Sequence, residues 1–191
     1  MGNKASARES DYIQKAKAGD IHAFRFLVDE NKDILVSLAQ SILKEKSWAE
    51  DVLQDALIKV FHKIGSFREK SSFKTWLYRI IINSCYNELK KRKNYQALKQ
   101  AAKAFQPSSV EYKNPLKASE RKLYIQAALD KLKADEALLL RLYYLCELSV
   151  GEIAESTGFK KAKIKTDLYR GRINFKRELE GILGNEIREI L

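Results

Sequence analysis

The chain has 191 residues, 45% of them hydrophobic, which is enough to bury the core of one medium domain or of two small helical ones. Its 36 lysines and arginines outnumber its 25 acidic residues, and the formal charge of +11 indicates a polyanionic partner, nucleic acid before an anionic membrane surface. Only 8 glycines and 2 prolines interrupt a chain rich in helix-forming residues, so we expect an all-α protein.

Several classes of protein are disfavoured by what the sequence lacks. No apolar run is long enough to cross a membrane, the N-terminus has no signal-peptide pattern, and the two cysteines and two histidines lack zinc-ligand spacing. There is no glycine-rich phosphate loop and no nucleophile spaced to meet a base. We therefore expect a cytoplasmic protein that is not an enzyme, is not inserted in a membrane and holds no metal or cofactor.

Residues with capping chemistry divide the first part of the chain into helices. Ser10 and Asp20 each precede an apolar helical pattern and can accept hydrogen bonds from the free amides of a first turn. Further along, Ser47 and Glu50 have the spacing of a capping box, and Gly65 is placed to end that helix.

The helix predicted between Ser47 and Gly65 has an acidic face. Asp51, Gln54 and Asp55 share the side opposite its apolar stripe, and Ile58 lies exposed among them. An acidic strip with an apolar residue in it suits a basic protein partner better than DNA. The alternative is a merely solvated face.

A central helix is predicted to begin near Phe73, after a polar turn that contains Ser71 and Ser72. The residues at the spacing of its buried side are Phe73, Leu77, Ile80, Ile81, Ile82, Ser84, Cys85 and Leu89. The residues on its other side are Trp76, Arg79, Asn83, Tyr86, Asn87 and Lys90. Rings, amides and cations together suit a single nucleic-acid strand, because bases stack on rings, amides meet base edges and cations meet phosphates. The alternative is an ordinary amphipathic helix with a solvated basic end.

Apolar periodicity weakens after this helix, and both prolines occur there, so residues 96–117 are predicted to form a flexible linker between two small helical domains, 1–95 and 118–191. In the second domain Ser119 and Asp135 are placed to begin helices. Ser149 and Glu152 then form another capping box, and Gly158 supplies a left-handed turn.

This second domain has the layout of a helix-turn-helix, in which Ile153 and Ile164 hold the two helices together. The residues of its second helix predicted to point outward are Lys163, Lys165, Thr166, Tyr169 and Arg170. As a cluster they can enter a major groove and contact phosphates and base edges. For any single lysine the alternative is a solvated charge.

The order of these parts resembles a known family. AEDVLQDALIKVF, then SFREKSSFKTWLYRIIINSCYNELKKRK, a linker and LSVGEIAESTGFKKAKIKTDLYRGR resemble an extracytoplasmic-function (ECF) sigma factor, built from sigma regions two and four alone. The resemblance runs from about Asp20 to Leu179, and FKTWLYRI with the upstream D-x-x-Q-D is its most specific part.

The resemblance implies roles and partners. It implies that Asp51, Gln54 and Asp55 grip the clamp of the largest RNA polymerase subunit, and that the C-terminal domain meets the flap region. It also implies an anti-sigma factor as inhibitor. The residues it assigns to promoter DNA are, for the −10 loop, Phe67, Ser71 and Ser72; for the −10 strand-reading helix, Arg79 and Asn83; and, for the −35 helix, Lys165, Thr166, Tyr169 and Arg170. Where the family's loop has a glycine and an acid after Phe-Arg, this chain has Glu69 and Lys70.

The leading hypothesis is therefore a promoter-specificity subunit of RNA polymerase. One rival is a stand-alone helix-turn-helix regulator, which would bind a palindrome as a dimer. A second rival is a basic RNA-binding protein, whose binding would follow charge and salt without sequence preference.

Overall fold

The computed structural model describes residues 2–100 and 118–184, and every regular element in these ranges is helical. We call residues 2–100 the N-terminal module and residues 118–184 the C-terminal module. The elements of the N-terminal module are α1 (Gly2–Lys17), α2 (Ile21–Asp29), α3 (Lys32–Leu43), α4 (Lys46–Lys63), a 3-10 turn (Ile64–Ser66) and α5 (Phe73–Gln100). Those of the C-terminal module are α6 (Ala118–Lys131), α7 (Ala134–Leu140), a π-helical turn (Arg141–Leu145), α8 (Val150–Thr157) and α9 (Lys161–Leu183). The all-α prediction is confirmed.

Two of the predicted helix starts are confirmed by their capping bonds. Asp20 accepts from the backbone amides of His22 and Ala23, at 2.8 and 3.1 Å. Ser149 Oγ accepts from the amide of Glu152 at 3.3 Å, and the Glu152 carboxylate accepts from the Ser149 amide at 2.9 Å. The second pair is the complete capping box expected at the start of α8.

Four other predicted starts were wrong, because the helices begin earlier. Asp135 is the second residue of α7, which follows an N-cap at Lys133. Ser10 lies inside α1, where the lysine, alanines and arginine before it are strong helix formers. Ser47 is inside α4, because Glu45 has the extended backbone that an N-cap requires (ψ 122°). Ser119 is the second residue of α6.

The end of α5 also differs from the prediction. Residues 96–100, assigned to the linker, continue the helix, since they contain helix formers and no glycine or proline. The rest of the predicted linker, with both prolines, lies outside the described residues.

Each module has an apolar core of its own. In the N-terminal module α3, α4 and α5 meet around Leu35, Leu77 and Ile81, which have no exposed surface. Cys85 belongs to this core, and its burial raises the pKa of the thiol to about 12. In the C-terminal module Ile153 and Ile164 are fully buried between α8 and α9, as the helix-turn-helix pattern predicts.

The two modules pack against each other, α3 on α7 and α5 on α8. At the junction Arg141 has no exposed surface, and its guanidinium donates to Ser37 Oγ at 2.7 Å and to Asp130 Oδ1 at 3.2 Å. Beside it Lys44 Nζ donates to the carbonyl oxygens of Asp130 and Leu132, at 3.2 and 3.1 Å. The C-terminal module is thereby held against the N-terminal one by polar bonds as well as apolar contact.

Within the described ranges, no helix combines the length and apolar character needed to span a bilayer.

Candidate nucleic-acid interface

The acidic strip of α4 is a free surface within the described structure. Asp51, Gln54 and Asp55 are exposed, and Ile58 retains 57% of its surface. The opposite side of the helix is buried, with Ala49, Val52, Leu53, Ala56 and Val60 in the core. The amphipathic pattern therefore leaves this strip without an intramolecular partner inside the described residues, and its chemistry fits a basic protein surface.

The loop that leads into α5 is part buried and part exposed. Phe67 is only 5% exposed, because its ring packs on those of Phe73 and Trp76, with centroids 5.8 and 5.2 Å away. Phe67 therefore supports the loop from below and does not offer an open ring. Ser72 Oγ accepts from the Thr75 amide at 3.1 Å, so it begins α5 as predicted. Ser71 is half-buried and Ser72 is exposed.

The polar face of α5 is real, but it is not free along its whole width. Arg79, Asn83, Asn87 and Lys90 are exposed, as predicted. Trp76 is half-buried by the aromatic cluster beneath it. Four of the six predicted residues therefore lie side by side on an accessible helix face, which can offer amides and cations to a strand.

The C-terminal module covers the edge of this face. Tyr86 donates its hydroxyl proton to Asp135 Oδ1 at 2.8 Å, and its ring lies edge-on to Phe159 at 6.2 Å. Burial, with the nearby Asp135 charge, raises the pKa of Tyr86 above its usual range. Two turns back, Arg79 forms a long ion pair with Glu155 of α8, at 4.0 Å. Reasoning on one helix at a time missed this contact, because it needs the position of the other module.

Two further buried groups on α5 were also missed. Tyr78 is 2% exposed and donates to Asn31 Oδ1 at 3.2 Å, and Thr75 has no exposed surface. Both lie on the side of α5 that turns toward the C-terminal module, where the Thr75 carbonyl accepts from Ser156 Oγ at 3.5 Å. A buried tyrosine with a hydrogen-bonded hydroxyl reads in sequence like a surface residue, so no local signal identifies it.

The outward face of α9 is exposed, but its first cation, Lys163, is already bonded to acidic side chains. Lys165, Thr166, Tyr169 and Arg170 are exposed, and Tyr169 retains 64% of its surface. Lys163, in contrast, donates to Asp135 Oδ2 at 2.7 Å and also to Asp167, and its ammonium lies over the Phe159 ring.

Lys163 therefore helps to hold α9 at the junction, whereas its predicted companions are available to a ligand. Among the residues that the structure describes, no salt bridge involves Lys165 or Arg170. No cluster of metal-ligating side chains occurs there either. The surfaces offered are therefore an acidic strip on α4, an amide and cation face on α5 and a basic face on α9.

Family models match both modules. The model of sigma-70 region 2 matches residues 27–95, and that of sigma-70 region 4 matches residues 122–174. The first match contains α3, α4 and the larger part of α5, and the second contains α7, α8 and the exposed face of α9.

Relatives match along nearly the whole chain. It is 30% identical over 179 residues to the ECF RNA polymerase sigma factor SigW of Bacillus subtilis (strain 168), covering 89% of this chain and 96% of that protein. It is 25% identical over 183 residues to the ECF RNA polymerase sigma factor SigM of Mycobacterium tuberculosis (strain ATCC 25618 / H37Rv), covering 94% and 88%.

Solved structures share the fold. The sigma factor RpoE from Bartonella quintana, in complex with the anti-sigma factor NepR, matches with a TM-score of 0.67 at 23% identity, over 84% of this chain and 98% of that one. CnrH, in complex with the cytosolic domain of CnrY, matches with a TM-score of 0.61 at 22% identity, over 91% and 98%.

Proposed function

This chain belongs to the ECF RNA polymerase sigma factors, and we propose how its surfaces divide the work of a protein that binds core RNA polymerase and directs promoter-specific transcription initiation. One observation carries the proposal. In the order of the chain, an acidic protein-binding strip, an amide and cation helix face and a basic helix-turn-helix follow one another, and region 2 contains the first two while region 4 contains the third.

The strip on α4 is the contact with core polymerase. Asp51, Gln54 and Asp55 supply carboxylates and an amide for basic groups of the clamp in the largest subunit, and Ile58 supplies an apolar centre. An apolar centre with a polar rim is the usual build of a protein interface, and DNA would be repelled by this strip. The C-terminal module contacts the flap region.

The −10 element is read by residues 67–90. Ser71 and Ser72, in the loop above the buried Phe67, receive an unstacked base of the non-template strand. On α5 Asn83 and Asn87 meet base edges, while Arg79 and Lys90 meet phosphates. Trp76 contributes the exposed part of its ring, and Tyr86 joins this face when α8 leaves it.

The −35 element is read by α9 in a major groove. Lys165 and Arg170 meet phosphates, and Thr166 and Tyr169 lie between them, facing base edges. Lys163 joins them if its bonds to the acidic residues are broken. This division assigns residues 1–95 to the −10 and polymerase functions and residues 118–191 to the −35 function.

The partner and location follow the same family. Two solved structures that match this fold are complexes, one of them with a protein named as an anti-sigma factor. We propose that this chain is cytoplasmic and that an inhibitor of that kind binds it there. We also propose that the chain has no enzymatic activity of its own. Family membership removes the stand-alone regulator and the RNA-binding protein as explanations.

Pull-down with core polymerase and run-off transcription test the proposal together. Both should be positive, and transcription should depend on the −10 and −35 sequences of the template. If the chain bound promoter DNA tightly without core polymerase and failed to support run-off transcription, the assignment of these surfaces would be wrong.

A further inference from the structure

The loop between the 3-10 turn and α5 contains a residue in an unusual backbone conformation. Glu69 has φ +56°, in the left-handed region that side chains other than glycine, asparagine and aspartate seldom adopt. Such a conformation persists in a folded protein only when the surroundings hold it. The loop lies in the segment that we propose as the reader of an unstacked −10 base.

Two side chains of α1 hold the Glu69 carboxylate. Lys17 Nζ lies 2.7 Å from Glu69 Oε1, and Gln14 Nε2 donates to the same oxygen at 2.9 Å. The bond to Lys17, more than its charge, lowers the pKa of the Glu69 carboxyl, so the carboxylate is ionised near neutral pH. Gln14 and Lys17 are separated by about one helical turn, so both project from the same side of α1.

Lys17 also connects the loop to the cluster below it. Its ammonium lies 5.4 Å from the centroid of the Phe67 ring, and its side chain is only 20% exposed. Phe67 in turn packs on Trp76 of α5. One cation therefore touches both the start of the loop and its left-handed residue.

The contacts of Gln14 and Lys17 with Glu69 affect the shape of the loop more than the stability of the protein. An exposed ion pair by itself contributes little to folding, and the Glu69 side chain is 51% exposed. Two converging donors on one oxygen nevertheless select one geometry for a residue whose backbone would otherwise return to a commoner region.

We propose that Gln14 and Lys17 of α1 are positioning residues for the base-reading loop: by holding Glu69 in the left-handed conformation they set the shape of residues 67–72, and with it the choice of −10 base. This inference rests on the proposed function of the loop. It adds to that function a set of residues from α1, outside the segment matched by the region 2 model.

The test uses holoenzyme assembled from core polymerase and the full chain. Lys17→Met and Glu69→Met, each of which removes one side of the contact, are compared with wild type in open-complex formation on templates that vary each −10 position. We expect the ratio between best and worst base at one position to fall by about two- to fivefold in each variant, as for the loss of an exposed but geometrically defined pair. Core binding should be unchanged.

Matched variants separate the effect of the Gln14 and Lys17 contacts with Glu69 from other effects. Lys15→Met removes a cation from the same helix that pairs with Asp11, and it should leave base choice at the wild-type level. Glu69→Gly adopts φ +56° without strain and does not need the carboxylate to hold it there, so it should retain more discrimination than Glu69→Met. The exchange Lys17→Glu with Glu69→Lys re-forms the ion pair and should recover discrimination beyond either single change.

The outcomes distinguish a failure of base reading by the loop from a failure of the positioning role of Gln14 and Lys17. If wild-type holoenzyme shows no base preference that Ser72→Ala alters, the proposed function of the loop fails. If that preference exists but Lys17→Met and Glu69→Met retain it, the positioning role of Gln14 and Lys17 is refuted. Equal loss of transcription on every template, or no more discrimination in Glu69→Gly than in Glu69→Met, also overturns the positioning role.

Discussion

Arg141 is a buried residue at the junction of the two modules, and it bonds to side chains of both. Its side chain is fully buried, and its donors meet Ser37 from α3 and Asp130 from α6. A buried cation costs free energy to desolvate, and only its partners offset that cost. Removing the cation leaves those partners in a site that was shaped for it.

We therefore expect Arg141→Met to lower the free energy of unfolding by about 2–4 kcal/mol. Arg177→Met is the control, because that side chain is 70% exposed, and it should change stability by less than about 0.5 kcal/mol. Chemical denaturation followed by circular dichroism measures both. Equal stability of the two variants would mean that the junction contributes nothing to the fold.

Asn83 differs from its cationic neighbours on α5 because its amide both donates and accepts. An amide can pair with the edge of an unstacked base and reject others by leaving a group unsatisfied. Asn83→Ala should therefore change which base is tolerated in the −10 element, by about tenfold or more at one position. Open-complex formation on templates that vary each −10 position measures the change.

Asp55→Ala is the contrasting variant for that experiment. Asp55 is exposed on α4, so its loss should weaken binding to core polymerase and leave base choice alone. If Asn83→Ala lowered transcription equally on all templates while Asp55→Ala altered base choice, the assignment of the two helices would be reversed.

At the scale of elements, α9 shows how one helix serves both packing and binding. Ile164 and Leu168 are buried toward α8 and α7, and Lys163 is bound to acidic side chains at the junction. Lys165, between these residues, and Arg170, two positions after Leu168, remain exposed. The helical period separates the two sets of residues, so substitutions on the exposed face should leave the fold intact.

Replacing Lys165 and Arg170 together by alanine should weaken promoter binding by the holoenzyme and flatten its salt dependence. Each lost phosphate contact lowers the slope of log affinity against log salt by about one unit, so we expect a decrease of about two. Lys176→Ala is a control on the same helix, exposed and paired with Glu180. An unchanged slope in the double variant would exclude α9 as the phosphate-binding face. Opening on a pre-melted template should survive.

At the scale of the whole molecule, the C-terminal module occupies part of the α5 face that we propose for DNA. Tyr86 and Arg79 lie on the edge of the face that we propose for the −10 strand. They bond to Asp135 and Glu155 of the C-terminal module. A strand cannot stack on Tyr86 while Phe159 lies against it. If α5 reads the −10 strand as we propose, we expect the packed arrangement to be that of the free protein and promoter binding to require α8 to move off α5.

Fluorescence energy transfer between dyes on cysteines introduced at Lys59 and Lys176 measures this movement. Both positions are exposed, and burial raises the pKa of the native Cys85 and Cys146 to about 12, so they stay protonated and react slowly with the dyes. We expect transfer to fall when the free chain enters an open complex, and to be lower in free Tyr86→Phe, which lacks the bond to Asp135. Unchanged transfer in the open complex would show that the modules stay packed.

The sequence by itself determined the features that depend on local chemistry and helical period. The all-α class, the Asp20 cap, the Ser149–Glu152 capping box, the left-handed Gly158 and the exposure of Ile58 all follow from residue type and from neighbours within a few positions. These are short-range effects, so a single chain segment contains the information for them.

Only the tertiary structure decided which faces meet. Thr75 is buried and Tyr86 is partly covered because the C-terminal module packs on α5. Tyr78 donates to Asn31, and Lys163 is bound to Asp135 within the C-terminal module, so these contacts also join residues far apart in the chain. The link from α1 to Glu69 is of the same kind, joining positions 52 and 55 residues apart. A helical period assigns a residue to one side of its own helix, but which neighbour covers that side depends on packing of the whole molecule.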